Sequence, residues 1–537
     1  MKKVTNYMLN KFLLLSVFLL SKHHIQAQCT TTNVSGDFII NSSIILSGTY
    51  NVSGTFKVAP FVTVYVKSFA SGSCGKLIIN AQKINIEGTI DGNYAGNIGG
   101  TGGLGGNIVS SLTGDQTAIN TCSNKDNNGI IVVEGGKFGN NGLGTGAGSQ
   151  GQNGQNGSGP KQQCLSNDDE CGMVGSAGGA GGGGGASYGG TGTSASNGGN
   201  GTSTYTTSGV NVSTGYIVFG GNGGSGGNSG SMFGTPTGLD IEMGSSGAGG
   251  GGGGRSYDVG LAGGKGGNGG GLVQLIATDT IKINGKIIVN GENGGNGGNA
   301  GNGGISPNCC SDGCDDSGEA TLSCGAGAGS GGGGGSGGGI YIESQTIAAI
   351  TGTLQSLGGN GGNSGAKGNG VTANYSGGVF CGTQTIVSGN GNLGNKGGSA
   401  GGGRIKIFVP TCSSSTINPI YSVNGGTGFT NASAGSYQVI CGVTNVNDVL
   451  KEQFKLNLFP NPFSETITLQ FKYDETPDFI GEINILNTLG MIVKTISSEE
   501  LKYDRQTQIN LSELTSGIYF IKITVNQLSY DYKIIKQ

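Results

Sequence analysis

The chain alternates apolar and polar positions in short bursts. "DFIINSSIILSGTYNVSGTFKVAPFVTVYV", residues 37–66, reads as a series of short strands broken by Gly and Asn turns at nearly regular intervals. A compound unit follows and recurs at 76–93, 272–293 and 340–360, with a shared Ile-x-Gly-x-Ile/Leu centre: Ile86-Gly88-Ile90, Ile283-Gly285-Ile287 and Ile350-Gly352-Leu354. Each unit runs straight into a glycine tract. "GGGLVQL", "GGGIYI" and "GGGRIKI" then lead from glycine back into a strand. A unit of strand, turn, strand and tract cannot bury its own apolar face, so stacked copies must supply the core. The pattern predicts parallel β-solenoid-like coils with Ile and Leu in a narrow interior.

The glycine tracts carry a second period. In "NGGNGGNAGNGG" (293–304), Asn293, Asn296, Asn299 and Asn302 recur every third residue, and Asn360, Asn363 and Asn369 keep the same step. So do Asn222, Ser225 and Asn228, and Thr101, Leu104 and Asn107. Three residues per turn is the repeat of a polyproline II helix, which has no internal hydrogen bonds and must find partners. Glycine lets such rods approach closely enough to bond one another, with Asn and Ser expected to point outward. Collagen is excluded, because 9 Pro stand against 118 Gly. The competing reading is a disordered glycine tract between small β pieces.

Irregular inserts interrupt the repeats at 108–174, 202–216, 229–257, 305–326 and 371–387, and they hold most of the charge and aromatic variety. Two are acidic and closely flanked by cysteines: "CLSNDDEC" (164–171) and "CCSDGCDDSGEATLSC" (309–324). Recognition, if any, is expected in these inserts. Asp168, Asp169, Glu170, Asp312, Asp315, Asp316 and Glu319 are candidates for a weak Ca²⁺ site, without EF-hand spacing. As acid and base for sugar cleavage they are less suited, since they cluster at loop tips with no basic partner on a strand face.

Composition then narrows the classes. Residues 1–27 read as a secretory signal: Lys2 and Lys3, the apolar run Phe12 to Leu20, and a cut after Ala27. Both histidines lie inside it, so the mature chain has no imidazole for Ser-His or Cys-His chemistry or for metal binding. The chain also has no Trp. Behind the signal, 24 basic and 31 acidic residues give a net charge of −7, which offers no footing for nucleic acid. Twelve cysteines (Cys29, Cys74, Cys122, Cys164, Cys171, Cys309, Cys310, Cys314, Cys324, Cys381, Cys412 and Cys441) form an even set in an exported chain, read as up to six disulfides of open connectivity. A zinc cluster of Cys309, Cys310, Cys314 and Cys324 is the alternative for that group.

Of the 118 glycines only Gly481, Gly490 and Gly517 follow residue 454. We therefore divide the chain into a signal (1–27), a glycine-rich passenger (28–441), a polar linker (442–454) and a tail (455–537). The tail is ordinary alternating strand sequence and predicts a small Ig-like antiparallel β-sandwich, so the fold class is all-β throughout. Its "FPNPF" (Phe459, Pro460, Asn461, Pro462, Phe463), "INILNTLGMIV" around Gly490, "SGIYFIKIT" with Gly517 and Tyr519, and the basic end "YKIIKQ" with Lys533 and Lys536 closely resemble the C-terminal sorting domain of type IX secretion cargo of Bacteroidota. The resemblance implies export across the outer membrane through that system's machinery, removal of the tail, and a secreted or surface-attached passenger. The glycine period resembles, in architecture only, the polyproline II sandwiches of phage tail-fibre adhesins and of the anaplastic lymphoma kinase ectodomain.

The expected function is a non-enzymatic, adhesin-like binding scaffold without cofactor, whose inserts meet a glycan or another surface ligand. A structural surface coat and, less favoured, a polysaccharide-active enzyme stay open beside it.

Overall fold

The computed structural model describes residues 29–69, 74–107, 130–160, 173–174, 176–208, 219–306, 321–376, 383–442, 456–471, 480–487, 491–497, 506–525 and 528–537. Among them there is no α-helix. The repeated units stack as coils of a parallel β-solenoid. Thr31–Val34, Phe38–Ile40 and Ile44–Leu46 make the first coil, and Gly48–Val58 with Thr63–Val66 the second. Lys76–Ile86 with Thr89–Asp91 make the third. Leu272–Ala277, Thr280–Ile283 and Lys286–Ile288 make the fourth, and Gly339–Ser344, Ile347–Ile350 and Thr353–Gln355 the fifth. Arg404–Val409, Thr416–Ile417 and Ile420–Ser422 form the sixth, and Ser436–Cys441 lies on top of it.

Register is strict along the stack. Ile79, Leu275, Ile342, Ile407 and Val439 follow one another in one column, and Ile90, Ile287, Leu354 and Tyr421 in another. These inward positions form a single apolar core in which Ile79, Leu275, Ile342, Ile90, Ile287 and Leu354 have no exposed surface. The glycine of the repeated Ile-x-Gly centre sits where one coil's corner lies on the next. A Cβ on Gly285 would stand 1.9 Å from the Gly88 carbonyl oxygen, and one on Gly352 2.0 Å from that of Gly285. No side chain fits there.

The tracts between coils are rods that spend most of their backbone bonds on one another. The N–H groups of Gly294, Gly297, Ala300 and Gly303 donate to the carbonyls of Asn360, Asn363, Ala366 and Asn369, one bond every third residue. In the rod 325–338, Gly331, Gly332 and Gly333 donate to Asn395, Gly295 and Ala248, so three successive N–H groups reach three different neighbours. The three-residue period is thus a rule for assigning donors to partners.

Two expectations about side chains are corrected. Asparagine does not merely face solvent: the amide oxygens of Asn293, Asn296, Asn299 and Asn302 accept from the backbone N–H of Asn360, Asn363, Ala366 and Asn369 at 2.7 to 3.2 Å. They supply the acceptor for the N–H that faces no neighbouring carbonyl. Serine in the inner rods is buried, and Ser176 and Ser330 donate to the Gly325 and Asn197 carbonyls at 2.6 Å. The stretch 229–257, read as an irregular insert, is half rod: Gly249 to Gly254 are buried, with N–H groups spent on neighbouring rods.

The tail folds as expected into two antiparallel sheets sharing one core. One holds Leu456–Phe459, Thr466–Phe471 and Gln506–Asn510; the other holds Ile492–Ser497, Ile480–Leu486, Gly517–Val525 and Leu528–Lys536. Phe463, Ile467, Leu469, Ile483, Ile485, Ile521 and Ile534 fill the space between them.

The rod lattice generates a direct test. A Cβ on Gly333 would lie 1.9 Å from the Gly184 carbonyl oxygen in a buried rod. Gly333→Ala is expected to cost about 3 kcal/mol by overpacking, seen as a lowered denaturation midpoint with an unchanged denaturant slope.

Candidate functional site: the C-terminal tail and the strapped sheet face

The "FPNPF" stretch is built into the edge of the tail. Both of its X-Pro bonds are cis. Phe463 is buried in the core, its N–H donates to the Ile535 carbonyl at 2.9 Å, and its own carbonyl accepts from Gln537 at 2.9 Å. Asn461 acts as a piece of strand: its amide donates to the Lys533 carbonyl at 2.9 Å and its amide oxygen accepts from the Ile535 N–H at 2.9 Å. Lys536 lays its stem over the Phe463 ring, with Nζ 5.5 Å from the centroid, and donates to the Ser464 carbonyl. The motif and the basic end, far apart in sequence, therefore form one clamp on the last strand. Tyr519 is buried and donates to the Thr515 carbonyl at 2.9 Å, a corner of the kind that pins antiparallel sandwiches. Phe459 and Lys533 are exposed, and Gly517 opens the strand carrying Tyr519. Gly490 lies outside the described residues.

Residues 457–537 match the family described as the secretion system C-terminal sorting domain. The chain is cargo of the type IX secretion system. The sorting domain indicates export and a secreted or cell-surface location, and it implies contact with the secretion machinery. No curated protein matches the chain.

Within the passenger, the sequence reading missed a cluster on the outer face of the solenoid. Side chains alternate along a strand, so in "RIKIFV" Ile405 and Ile407 point to the core while Arg404, Lys406 and Phe408 face outward. The outward face is covered by the strap 231–243, whose Leu239 and Ile241 pack on Tyr341 and Phe408. Arg404 is fully buried; it donates to the Phe233 and Gly234 carbonyls at 2.8 Å and to Ser436 Oγ at 3.2 Å. Its guanidinium lies 5.5 Å above the Tyr188 ring, whose hydroxyl accepts from the Glu242 N–H at 2.7 Å. Lys406 donates to the Gly238 carbonyl at 2.6 Å, to the Asp240 carbonyl, and to Asp240 Oδ1 at 3.2 Å. Burial pushes Lys406 down to about 8, against the pull of Asp240.

On the neighbouring strand Tyr341 donates to Glu343 Oε2 at 2.7 Å. Burial raises the Glu343 carboxyl, with the Tyr341 bond opposing, and burial beside Glu343 raises Tyr341. The legible signal was two cations on alternate positions of an apolar strand, which a solvated face would not require when "GGG" precedes and "FVP" follows.

The remaining candidates divide. Cys29 bonds Cys74 and Cys412 bonds Cys441, tying the first strand and the last strand to the solenoid. Cys324, counted among the bridge candidates, is instead a buried free thiol that donates to the Thr204 carbonyl at 3.6 Å. Cys122, Cys164, Cys171, Cys309, Cys310, Cys314 and Cys381 lie outside the described residues, as do Asp168, Asp169, Glu170, Asp312, Asp315, Asp316 and Glu319. Among the described residues no three His, Cys, Asp or Glu side chains come together as a metal site. The insert roots are visible: Tyr205–Ser208 and Thr372–Ser376 pair with Thr383–Ser388, and Met173–Val174 and Ile305–Ser306 pair with Thr321–Ser323.

Two measurements follow from these contacts. Asn461→Ala removes both bonds to the last strand, at about 1 kcal/mol each, so hydrogen exchange at the Ile535 amide should accelerate by about an order of magnitude or more. Glu343 is the second case. A carboxyl raised on folding stabilises the folded state below its unfolded pKa, and that contribution is lost as pH rises through the folded value. Glu343→Gln should therefore stabilise the protein relative to wild type increasingly as pH rises from the acid carboxylate range toward neutrality, read from denaturant melts at several pH values.

Proposed function

We propose that the passenger is a rigid, non-enzymatic binding scaffold displayed outside the cell, in which glycine rods of polyproline II form are the platform and the inserts are the contact surface. The observation that carries this reading is the three-residue donor rule, which sends successive N–H groups of an inner rod such as 325–338 to its neighbours in turn and leaves a stiff lattice. One three-stranded antiparallel sheet of 205–208, 372–376 and 383–388 roots two inserts side by side on that lattice. An extracellular glycan is the ligand class that suits these two inserts, since 202–216 and 371–387 are rich in hydroxyl and amide groups and carry no charged residue. In the tail, the clamp formed by Phe459 to Phe463 and Lys533 to Lys536 is the feature we assign to recognition by the export machinery, with the tail removed afterwards.

A structural coat is the second reading, and the ends of the solenoid favour it. Tyr421 and Tyr437 end their core columns in a parallel stack 3.9 Å apart, with Tyr421 half exposed, and Ile44 at the other end is 41% exposed although its column is inward-facing. Open parallel edges of this kind suit end-to-end contact between copies.

Binding of the exported protein to a glycan array and to insoluble polysaccharides, oxidised and then reduced, separates the readings. Saturable binding lost on reduction is the expected result. Absence of binding in both states, with concentration-dependent assembly, would favour the coat, and release of soluble sugar would overturn the non-enzymatic assignment.

A further inference from the structure

We propose that Lys406 and Asp240 join in an intramolecular isopeptide bond that fastens the strap 231–243 covalently to the outer face of the solenoid. Lys406 has no exposed side-chain surface, and its Nζ lies 3.2 Å from Asp240 Oδ1. Two of its N–H groups are taken by backbone carbonyls, those of Gly238 and Asp240, and the third points at the Asp240 carboxylate. When that third proton crosses to Oδ1, the nitrogen lone pair is left on the side of the Asp240 carboxyl group while the other two hydrogens stay bonded, so attack needs only a small rotation that turns it from Oδ1 onto the adjoining carbon.

The carboxyl is held from its other side. Thr235 N–H donates to Asp240 Oδ2 at 2.7 Å and the Thr235 hydroxyl donates to Oδ1 at 2.5 Å. Donors fixed on both oxygens stabilise the charge that develops on them as the carbon becomes tetrahedral. Beside the pair lie Leu239, Ile241, Tyr341 and Phe408, the two rings 5.0 Å apart, so the fully covered ammonium is poorly solvated, while the Asp240 side chain stays 43% exposed. Lys406, pushed down to about 8, is an amine for a substantial fraction of the time in mildly alkaline medium. Fixed juxtaposition of two reacting groups supplies effective concentrations of about 10⁵ to 10⁸ M.

The step balances within the pair. Oδ1 takes one proton from the ammonium, Nζ attacks Cγ, and a second Nζ proton moves to Oδ1. The Cγ–Oδ1 bond then breaks, so one C–N bond forms and one water leaves. The third hydrogen remains as the amide N–H, still facing a backbone carbonyl, and Oδ2 remains as the amide oxygen on Thr235 N–H. No oxidant or co-reactant enters. The two residues are 166 apart in sequence, so the bond closes a large loop in a chain whose rods have few side chains to hold them.

Mass spectrometry of the full chain, purified, reduced, alkylated and digested, tests this. The expected result is a branched peptide joining the segments that contain Asp240 and Lys406, lighter than their sum by one water. Asp240→Asn should give the same branched peptide with loss of ammonia instead, and Lys406→Arg should abolish it. Recovery of both segments only as linear peptides, after incubation of the folded wild-type chain near pH 8, would overturn the proposal. A branched peptide that survives Lys406→Arg would overturn the assignment to this lysine.

Discussion

An extended chain whose N–H groups address neighbours in a cycle of three cannot satisfy its own backbone, and the rest of this molecule is arranged around that constraint. Each inner rod donates successive N–H groups to different neighbours, as Gly331, Gly332 and Gly333 do, so no rod is stable alone. Such packing requires backbone against backbone, where a Cβ would stand about 2 Å from a carbonyl oxygen, as at Gly333. Glycine is used for its lack of volume, and its entropic cost is offset by a full set of bonds between rods.

The solenoid supplies what the rods lack. Its coils start and end the glycine tracts, so the 67-residue offset between coils four and five reappears as the offset between their rods, in Asn360 on Asn293 and Asn369 on Asn302. The same offset carries Thr427 onto Asn360. Apolar columns hold the coils in register, and the rods inherit that register without any core of their own. Under the strap, two buried cations, Arg404 and Lys406, meet carbonyls and a carboxylate in place of water.

In the tail, a different solution serves a different need. The sorting domain is an ordinary sandwich with a side-chain core, and its last strand is held by Asn461 and Lys536 as well as by its ladder partner.

Much of this was legible in the residues themselves. Period two in the Ile-rich units and period three in the glycine tracts are local properties, set by how side chains and backbone donors project from an extended chain, and they were sufficient for the all-β class, the coils and the rods, while the export of the tail was legible only through the resemblance of its motifs to the sorting domain. What the residues could not show was which rod meets which. Asn293 has the same neighbours in sequence as many other asparagines, and only the coil register makes it an acceptor for Asn360. Equally, nothing near "GTPTGLD" announces that Asp240 will lie against Lys406, or that Cys412 will find Cys441 while Cys324 stays a thiol. Periodicity is determined by local geometry, but partnership between segments of nearly identical sequence is decided by the stacking of the coils that deliver them.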